Sequence, residues 1–326
     1  MRGPERVESD GRNEPLGGSA MTEKAFWEDF IQTVPWPIAR RPYVIAEIGI
    51  NHNGDLKLAK QMIESAQRCG VQAVKFQKRT PELCVPPHQR DIPRETPWGL
   101  MTYMDYRYRI EFGRQEYDEI DAFCRTLGID WFASAWDLPS LEFLRVYDAP
   151  YNKIPSAMLT NRALVRRVAL EGKMTFISTG MSEYPDIDYI VSLFRDLGCP
   201  FILMHAVSEY PVANNKLNLR QITALRNRYG CPVGNSGHES TMLPSLIAVM
   251  MGAVAIERHF TINRALWGTD QAASLEPRGL ATLMNYITQV PVILGSGERV
   301  ITEKEKENAR KLRFMVEPVA EDGEAT

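Results

Sequence analysis

The chain has 326 residues, 44% of them hydrophobic and 24% charged, with a formal net charge of −3. That length can bury a large core, and the slightly acidic balance excludes an electrostatic case for binding nucleic acid or an anionic membrane surface. Five cysteines (Cys69, Cys84, Cys124, Cys199, Cys231) lie scattered without a CxxC, which fits reduced thiols in the cytoplasm and argues against a disulfide framework or a thiolate zinc site.

Residues 1–21 are polar and glycine-rich with no apolar stretch, and they read as a disordered leader. Residues 22–40 begin TEKAFWEDFIQTV, an amphipathic pattern that predicts an N-terminal helical extension. β-Rich apolar runs then recur: YVIAEIGI from Tyr43, AVKFQK from Ala73, WFASAW from Trp131 and YNKIPS from Tyr151. TFISTG from Thr175, FILMHAV from Phe201, CPVGNSG from Cys231 and AVAIERHF from Ala253 continue the series. Between them lie helical patterns such as LKLAKQMIESAQRCG and TMLPSLIAVMMGA, with apolar residues three and four apart. Gly70, Gly128, Gly172, Gly198, Gly230 and Gly252 each stand between a helix and a strand, where a helix-ending residue with positive φ belongs. Uninterrupted βα alternation predicts a parallel sheet closed as a TIM (β/α)8 barrel, a catalytic domain over 41–316. The alternative, an open doubly wound sheet, lacks a GxGxxG after its first strand. No apolar run reaches the roughly 18 residues of a membrane span.

The stretch 79–112 is too long for a routine connection and contains MTYMDYRYRIEFG. Its segment Met101–Phe112, with Arg107 and Arg109, suits a lid or a partner contact; the plainer reading pairs these arginines with Asp105 and Glu111 or leaves them solvated. After Leu294 the sequence predicts one charged C-terminal helix and an acidic tail over 317–326.

Active-site residues of a TIM barrel stand at the C-terminal ends of its strands. Here Glu47 precedes Asn51-His52-Asn53-Gly54 at the first, and Lys75 with Gln77 lies on the second. Ser134 follows on the third, Lys153 and Ser156 on the fourth, and His205, Ser208 and Tyr210 on the sixth. Ser236 and His238 end the seventh, and Glu257, Arg258 and His259 the eighth. His238 and His259 close adjacent strands, so their imidazoles could converge on one divalent ion, with water or substrate oxygens completing its shell. The plain alternative is a hydrogen-bonded histidine in each case. Glu257 fits either a carboxylate behind that ion or an ion pair with Arg258. Lys75 and Lys153 require counter-charges, which a phosphorylated carboxylic acid would supply; a structural salt bridge or a Schiff-base lysine are the alternatives. GNSGHES offers small residues and free N–H groups to a phosphate, with Ser240 as N-cap of the next helix.

The segments IAEIGINHNGDLKLAKQMI, VKFQ, NKIPSAMLTN, FISTGMSE, SEYPV, VGNSGHE, IERHFT and WGTDQAASLEP, from Tyr43 to Pro277, resemble the successive motifs of the sialic acid synthase family. The resemblance implies metal-dependent condensation of phosphoenolpyruvate with a sugar aldehyde, N-acetylmannosamine or a related aldose. The product would be a 2-keto-3-deoxy sugar acid such as a sialic or other nonulosonic acid, with phosphate released. It implies His238 and His259 as ligands of a divalent metal ion, Mn²⁺ foremost and Mg²⁺ or Co²⁺ as substitutes. Lys75, Lys153, Ser156 and Ser236 would meet phosphoenolpyruvate, with Ser208 at a position that is Asn in some relatives. Glu47 and Asp270 would face the sugar with Tyr210 nearby, and Gln77 and Ser134 would complete the substrate contacts. A homodimer is expected. Two departures stand out. Met158 occupies a position that is Glu in some relatives, and the chain is expected to lack their small C-terminal antifreeze-like domain. Closure over the substrate then falls to another segment, for which Met101–Phe112 is suited. Two other functions stay open: a phosphoenolpyruvate–aldose phosphate synthase, with Lys78, Arg79 and Arg107 as a second basic cluster, and a non-catalytic binding barrel. A metallohydrolase is disfavoured, because the first strand carries no HxH.

Overall fold

Apolar runs short enough to be strands, and buried on both faces, pair most readily in parallel beneath a layer of helices. A computed structural model of the chain, which describes residues 41–313, shows this arrangement. Its barrel strands are β1 Tyr43–Gly49, β2 Ala73–Lys78, β3 Asp130–Ala135, β4 Asn152–Ile154, β5 Thr175–Ser178, β6 Phe201–Ala206, β7 Val233–Gly237 and β8 Ala255–His259. All the expected strands are present and parallel, and the sheet closes where β1 lies between β2 and β8. The helices that follow them in turn are α1 Leu56–Arg68, α2 Arg114–Leu127, α3 Leu138–Leu144, α4 Arg162–Ala169, α5 Tyr184–Asp196, α6 Gln221–Tyr229, α7 Leu243–Met250 and α8 Pro277–Leu294. The expected leader, the helical extension 22–40 and the tail 317–326 lie outside the described residues.

Local chemistry explains the boundaries. Asp55 caps α1 by accepting the Leu58 N–H, and the helix buries Ala59, Met62, Ile63 and Ala66 on one face. Gly128 and Gly230 end α2 and α6 in the left-handed conformation (φ 62° and 55°), and the other glycines expected at helix ends also have positive φ. Ser240 is not the cap of α7: that helix starts at Leu243 behind Met242, without a side-chain cap.

Side chains alternate along each strand, so every barrel strand feeds two cores. Val44, Ile48, Val74 and Phe76 point outward into the apolar layer beneath the helices. Ile45, Ala73, Phe132, Tyr151, Phe176 and Ala255 point inward and plug the lower barrel. Two residues further along each of these strands, the inward positions become Glu47, Lys75, Ser134, Lys153, Ser178 and Glu257, all buried. An apolar floor therefore carries a polar ring at the C-terminal face. The same alternation overturns the pairing of Glu257 with Arg258, since neighbours on a strand face opposite ways. Arg258 points outward and meets Glu239 at 2.8 Å, both fully buried.

The long 79–112 connection is structured. It holds a helical turn at Pro81–Cys84, an antiparallel ribbon of Pro93–Thr96 with Gly99–Thr102, and a helix at Tyr103–Ile110. Tyr106 and Ile110 seat that insertion helix on Ile50 after β1, and Tyr106 packs edge-on against Trp267 after β8, with ring centroids 5.2 Å apart. The charged C-terminal helix spans Glu303–Leu312 with a Thr302/Glu305 capping box and buries no side chain. No described helix is long and apolar enough to cross a membrane, and all the cysteines are unpaired.

Candidate active site

The polar ring is held by its own charges. Lys75 Nζ lies 2.7 Å from Glu47 Oε2, donates to Ser134 Oγ at 3.1 Å and stands 3.9 Å from Glu257 Oε1. Lys153 Nζ lies 3.1 Å from Glu257 Oε2 and donates to Ser178 Oγ at 2.6 Å, while Ser236 donates to Glu257 Oε1 at 2.9 Å. Burial drives the Glu257 carboxyl upward, but Lys153 and Lys75 outweigh it and hold its pKa at about 2. Burial likewise lowers Lys153, against the pull of Glu257. The counter-charges of both lysines are thus the protein's own carboxylates, and burial of the amines does not by itself demand an anionic ligand. Gln77 extends the ring by donating to the other oxygen of Glu47 at 2.6 Å.

The imidazoles of His238 and His259 stand side by side above this ring, with centroids 5.5 Å apart. His238 Nδ1 lies 2.6 Å from the Val207 carbonyl, so it is the protonated nitrogen and the Nε2 lone pair stays available. Burial first, then His259, holds the His238 pKa down at about 3, and the ring is neutral. His259 Nδ1 is buried without a hydrogen-bond partner, 3.8 Å from Asp270 Oδ2. Tyr210 covers the pair, its ring 4.1 Å from His238 and 5.7 Å from His259. Among the described residues, no group of three or more His, Cys, Asp or Glu side chains is placed to hold a metal. The histidines could supply two donors of a site, with the rest left to water or a ligand.

A hydroxyl cradle surrounds Gly180, two residues beyond the end of β5. Ser156 Oγ accepts the Gly180 N–H at 3.1 Å, and the buried Ser208 Oγ has no partner. A Cβ on Gly180 would fall 2.5 Å from Ser208 Oγ and 2.8 Å from Ser156 Oγ, so glycine there leaves room for both hydroxyls.

The candidate residues Glu47, Lys75, Gln77, Ser134, Lys153, Ser236, His238, His259, Tyr210 and Asp270 thus form one connected constellation, and Ser156 pairs with Ser208 in the cradle. His205 does not join it, because its Nε2 is taken by the Leu217 carbonyl at 2.8 Å. Met158 packs against the outer core. Ser178 and Gly180 join the site from the end of β5, where the polar end of TFISTG is the signal in the sequence. Arg107 is buried whereas Arg109 lies exposed over Trp98, and neither pairs with Asp105 or Glu111: Glu111 is bound to Lys78 at 2.9 Å.

Comparison with known proteins bears on the same residues. The NeuB family matches positions 62–299. N-acetylneuraminate-9-phosphate synthase of Drosophila melanogaster is 38% identical over 76% of this chain and 67% of its own length. N,N'-diacetyllegionaminic acid synthase of Campylobacter jejuni is 30% identical over 84% of each chain. The crystal structure of the N-acetylneuraminic acid synthetase of Leptospira borgpetersenii, in complex with citrate, superposes with a TM-score of 0.74 at 31% identity, covering 85% of this chain and 93% of that one. The stretch matched takes in every barrel strand after β1, and the chain belongs to the NeuB family as an N-acetylneuraminate synthase-like enzyme.

Proposed function

We propose that the enzyme condenses phosphoenolpyruvate with an aldose of the N-acetylmannosamine type, giving a nonulosonic acid and phosphate. The observation that carries this reading is the ring of two lysines and two carboxylates beneath the adjacent imidazoles of His238 and His259. The relatives named above support it, and they include makers of both a 9-phosphorylated and an unphosphorylated acid. The unpaired thiols favour a reducing compartment, the cytoplasm.

In this reaction C3 of phosphoenolpyruvate bonds to the aldehyde carbon, water adds at C2, and the C2–O bond to phosphate breaks. Lys75 and Lys153, ion-paired with Glu47 and Glu257, hold the phosphate and carboxylate as charge shifts between substrate oxygens. Ser156, Ser208 and the Gly180 backbone supply neutral contacts to one end of that substrate. Gln77 and Glu47 face the acceptor, and Glu47 or Asp270 receives the proton lost by the attacking water. His238 and His259 would hold a divalent ion, Mn²⁺ foremost by the family resemblance, which when bound supplies Lewis acidity toward an aldehyde oxygen.

Phosphoenolpyruvate carrying heavy oxygen at its bridging position is expected to yield labelled phosphate, measured by mass, with the sugar acid unlabelled at C2. Label kept in the acid would mean attack at phosphorus and would end this reading. A separate expectation concerns the cradle. Gly180→Ala pushes both serine hydroxyls aside, so KM for phosphoenolpyruvate should rise by roughly tenfold or more while thermal stability changes little. An unchanged KM would remove the cradle from the binding site.

A further inference from the structure

Each buried cation of the ring and the outer core holds a carboxylate: Lys75 at 2.7 Å, Lys153 at 3.1 Å and Arg258 at 2.8 Å. Arg79 and Arg107, each only 7% exposed, hold none. Arg79 donates one Nη2 bond to Gln77 Oε1, lies over the Trp136 ring with Cζ 3.8 Å from its centroid, and leaves Nη1 buried without a partner. Arg107 descends from the insertion helix and makes no hydrogen bond or ion pair among the described residues; its ring contact is with Tyr103 at 6.0 Å. The two guanidinium groups repel each other. Burial and then Arg107 hold the Arg79 pKa down at about 10, while Glu111 and Asp270 attract it from beyond ion-pair distance. Both carboxylates are engaged elsewhere. Glu111 accepts from Lys78 and from the Arg79 backbone N–H at 2.8 Å, and Asp270 accepts from Thr269 at 2.7 Å and faces His259.

Two like charges held in a dry place with donors unspent are costly unless an anion comes between them. Guanidinium groups match the paired oxygens of phosphate and carboxylate. Position narrows the choice of anion. Gln77 joins Arg79 to Glu47, and the second oxygen of Glu47 meets Lys75. The arginines therefore sit outside the lysine ring, with the two acceptor-facing side chains in between. We propose that Arg79 and Arg107 form a second oxyanion site that takes a phosphate or carboxylate at the far end of the aldose, so that the acceptor is an anionic sugar. This rests on the condensation proposed above.

The test is steady-state phosphate release by the full chain at saturating phosphoenolpyruvate with three acceptors: N-acetylmannosamine, its 6-phosphate, and the corresponding sugar acid oxidised at C6. An anionic acceptor should exceed the neutral one by about a hundredfold in kcat/KM, and whichever anion is preferred names the terminal group. Arg107→Gln should lower kcat/KM for that acceptor by roughly tenfold or more through KM, with less than about threefold change on the neutral sugar and none in KM for phosphoenolpyruvate. Arg107→Lys, which keeps the charge, should recover part of the loss. The site is overturned if the neutral sugar is used as well as the anionic ones, if Arg107→Gln slows all acceptors alike, or if it raises KM for phosphoenolpyruvate instead. Should no acceptor release phosphate, the condensation fails while this site is still decided by calorimetry with the 6-phosphate. Binding to wild type that is lost in Arg107→Gln supports it, and equal binding to both refutes it.

Discussion

Alanine at His238 or at His259 is expected to abolish turnover, by at least about 10³-fold in kcat/KM, some 4 kcal/mol of transition-state stabilisation. The imidazoles sit at the rim, above the apolar floor, and His238 is secured by one bond to the Val207 carbonyl. Neither ring is a pillar of the core, so the variants should fold and keep a melting temperature near that of wild type measured without metal. Chelation of the wild type should reproduce the loss, and added Mn²⁺ should reverse it. Full activity in either variant, or indifference to chelation, would dismiss the metal site. The comparison with Tyr210→Phe is informative, because that ring covers both histidines without offering a nitrogen donor. A much smaller effect there separates donation from packing.

The second large effect is expected at Lys153. Lys153→Met leaves the buried Glu257 with Lys75 at 3.9 Å and Ser236 as its remaining partners. Removing one member of a buried ion pair typically costs about 3–5 kcal/mol. With those partners left, the lower end applies, a fall in melting temperature of roughly 5–10 °C. Activity should drop on the order of 10³-fold, since one of the two cations proposed to hold phosphoenolpyruvate is gone. Lys153→Met combined with Glu257→Leu removes both charges, so stability should return toward wild type while turnover stays lost. If the single variant melted like wild type, the pair would contribute nothing to the fold. If the double variant regained turnover, neither group would belong to the chemistry.

Much of this arrangement was legible in the residues, because a barrel strand writes its two faces in alternation. Ile45 and Glu47, Ala73 and Lys75, or Ala255 and Glu257 announce an apolar floor and a polar rim once their spacing of two is read. His238 and His259 were legible for the same reason. The internal pairing was not, since which lysine meets which carboxylate depends on barrel tilt and on contacts between strands distant in the chain. Glu257 was open to two readings, yet alternation with Ala255 and His259 already turns it inward and Arg258 outward. Ser178 ends a four-residue strand whose polar terminus carries no ionisable group, so TFISTG signals the site more weakly than the charged strand ends do. The insertion is the largest gap: its ribbon and helix are fixed by tertiary contacts with Ile50 and Trp267. Arg107 and Arg109 look equivalent in sequence, but two residues along a helix is about 200° of rotation, which sends one inward and the other to solvent.

The seam between β1 and β8, where Glu47 lies opposite His259, joins the first barrel strand made by the ribosome to the last. A nascent chain that has reached β4 already contains Lys75 and Lys153, but the carboxylate that bridges them and both imidazoles have yet to be synthesised. Such a half-made barrel has raw edges on its outermost strands and lysines with no Glu257 to steady them. It therefore has no means of assembling the site early. Competence waits on the docking of β8, the keystone of the vault, and on the segment just beyond it that brings Asp270 to His259.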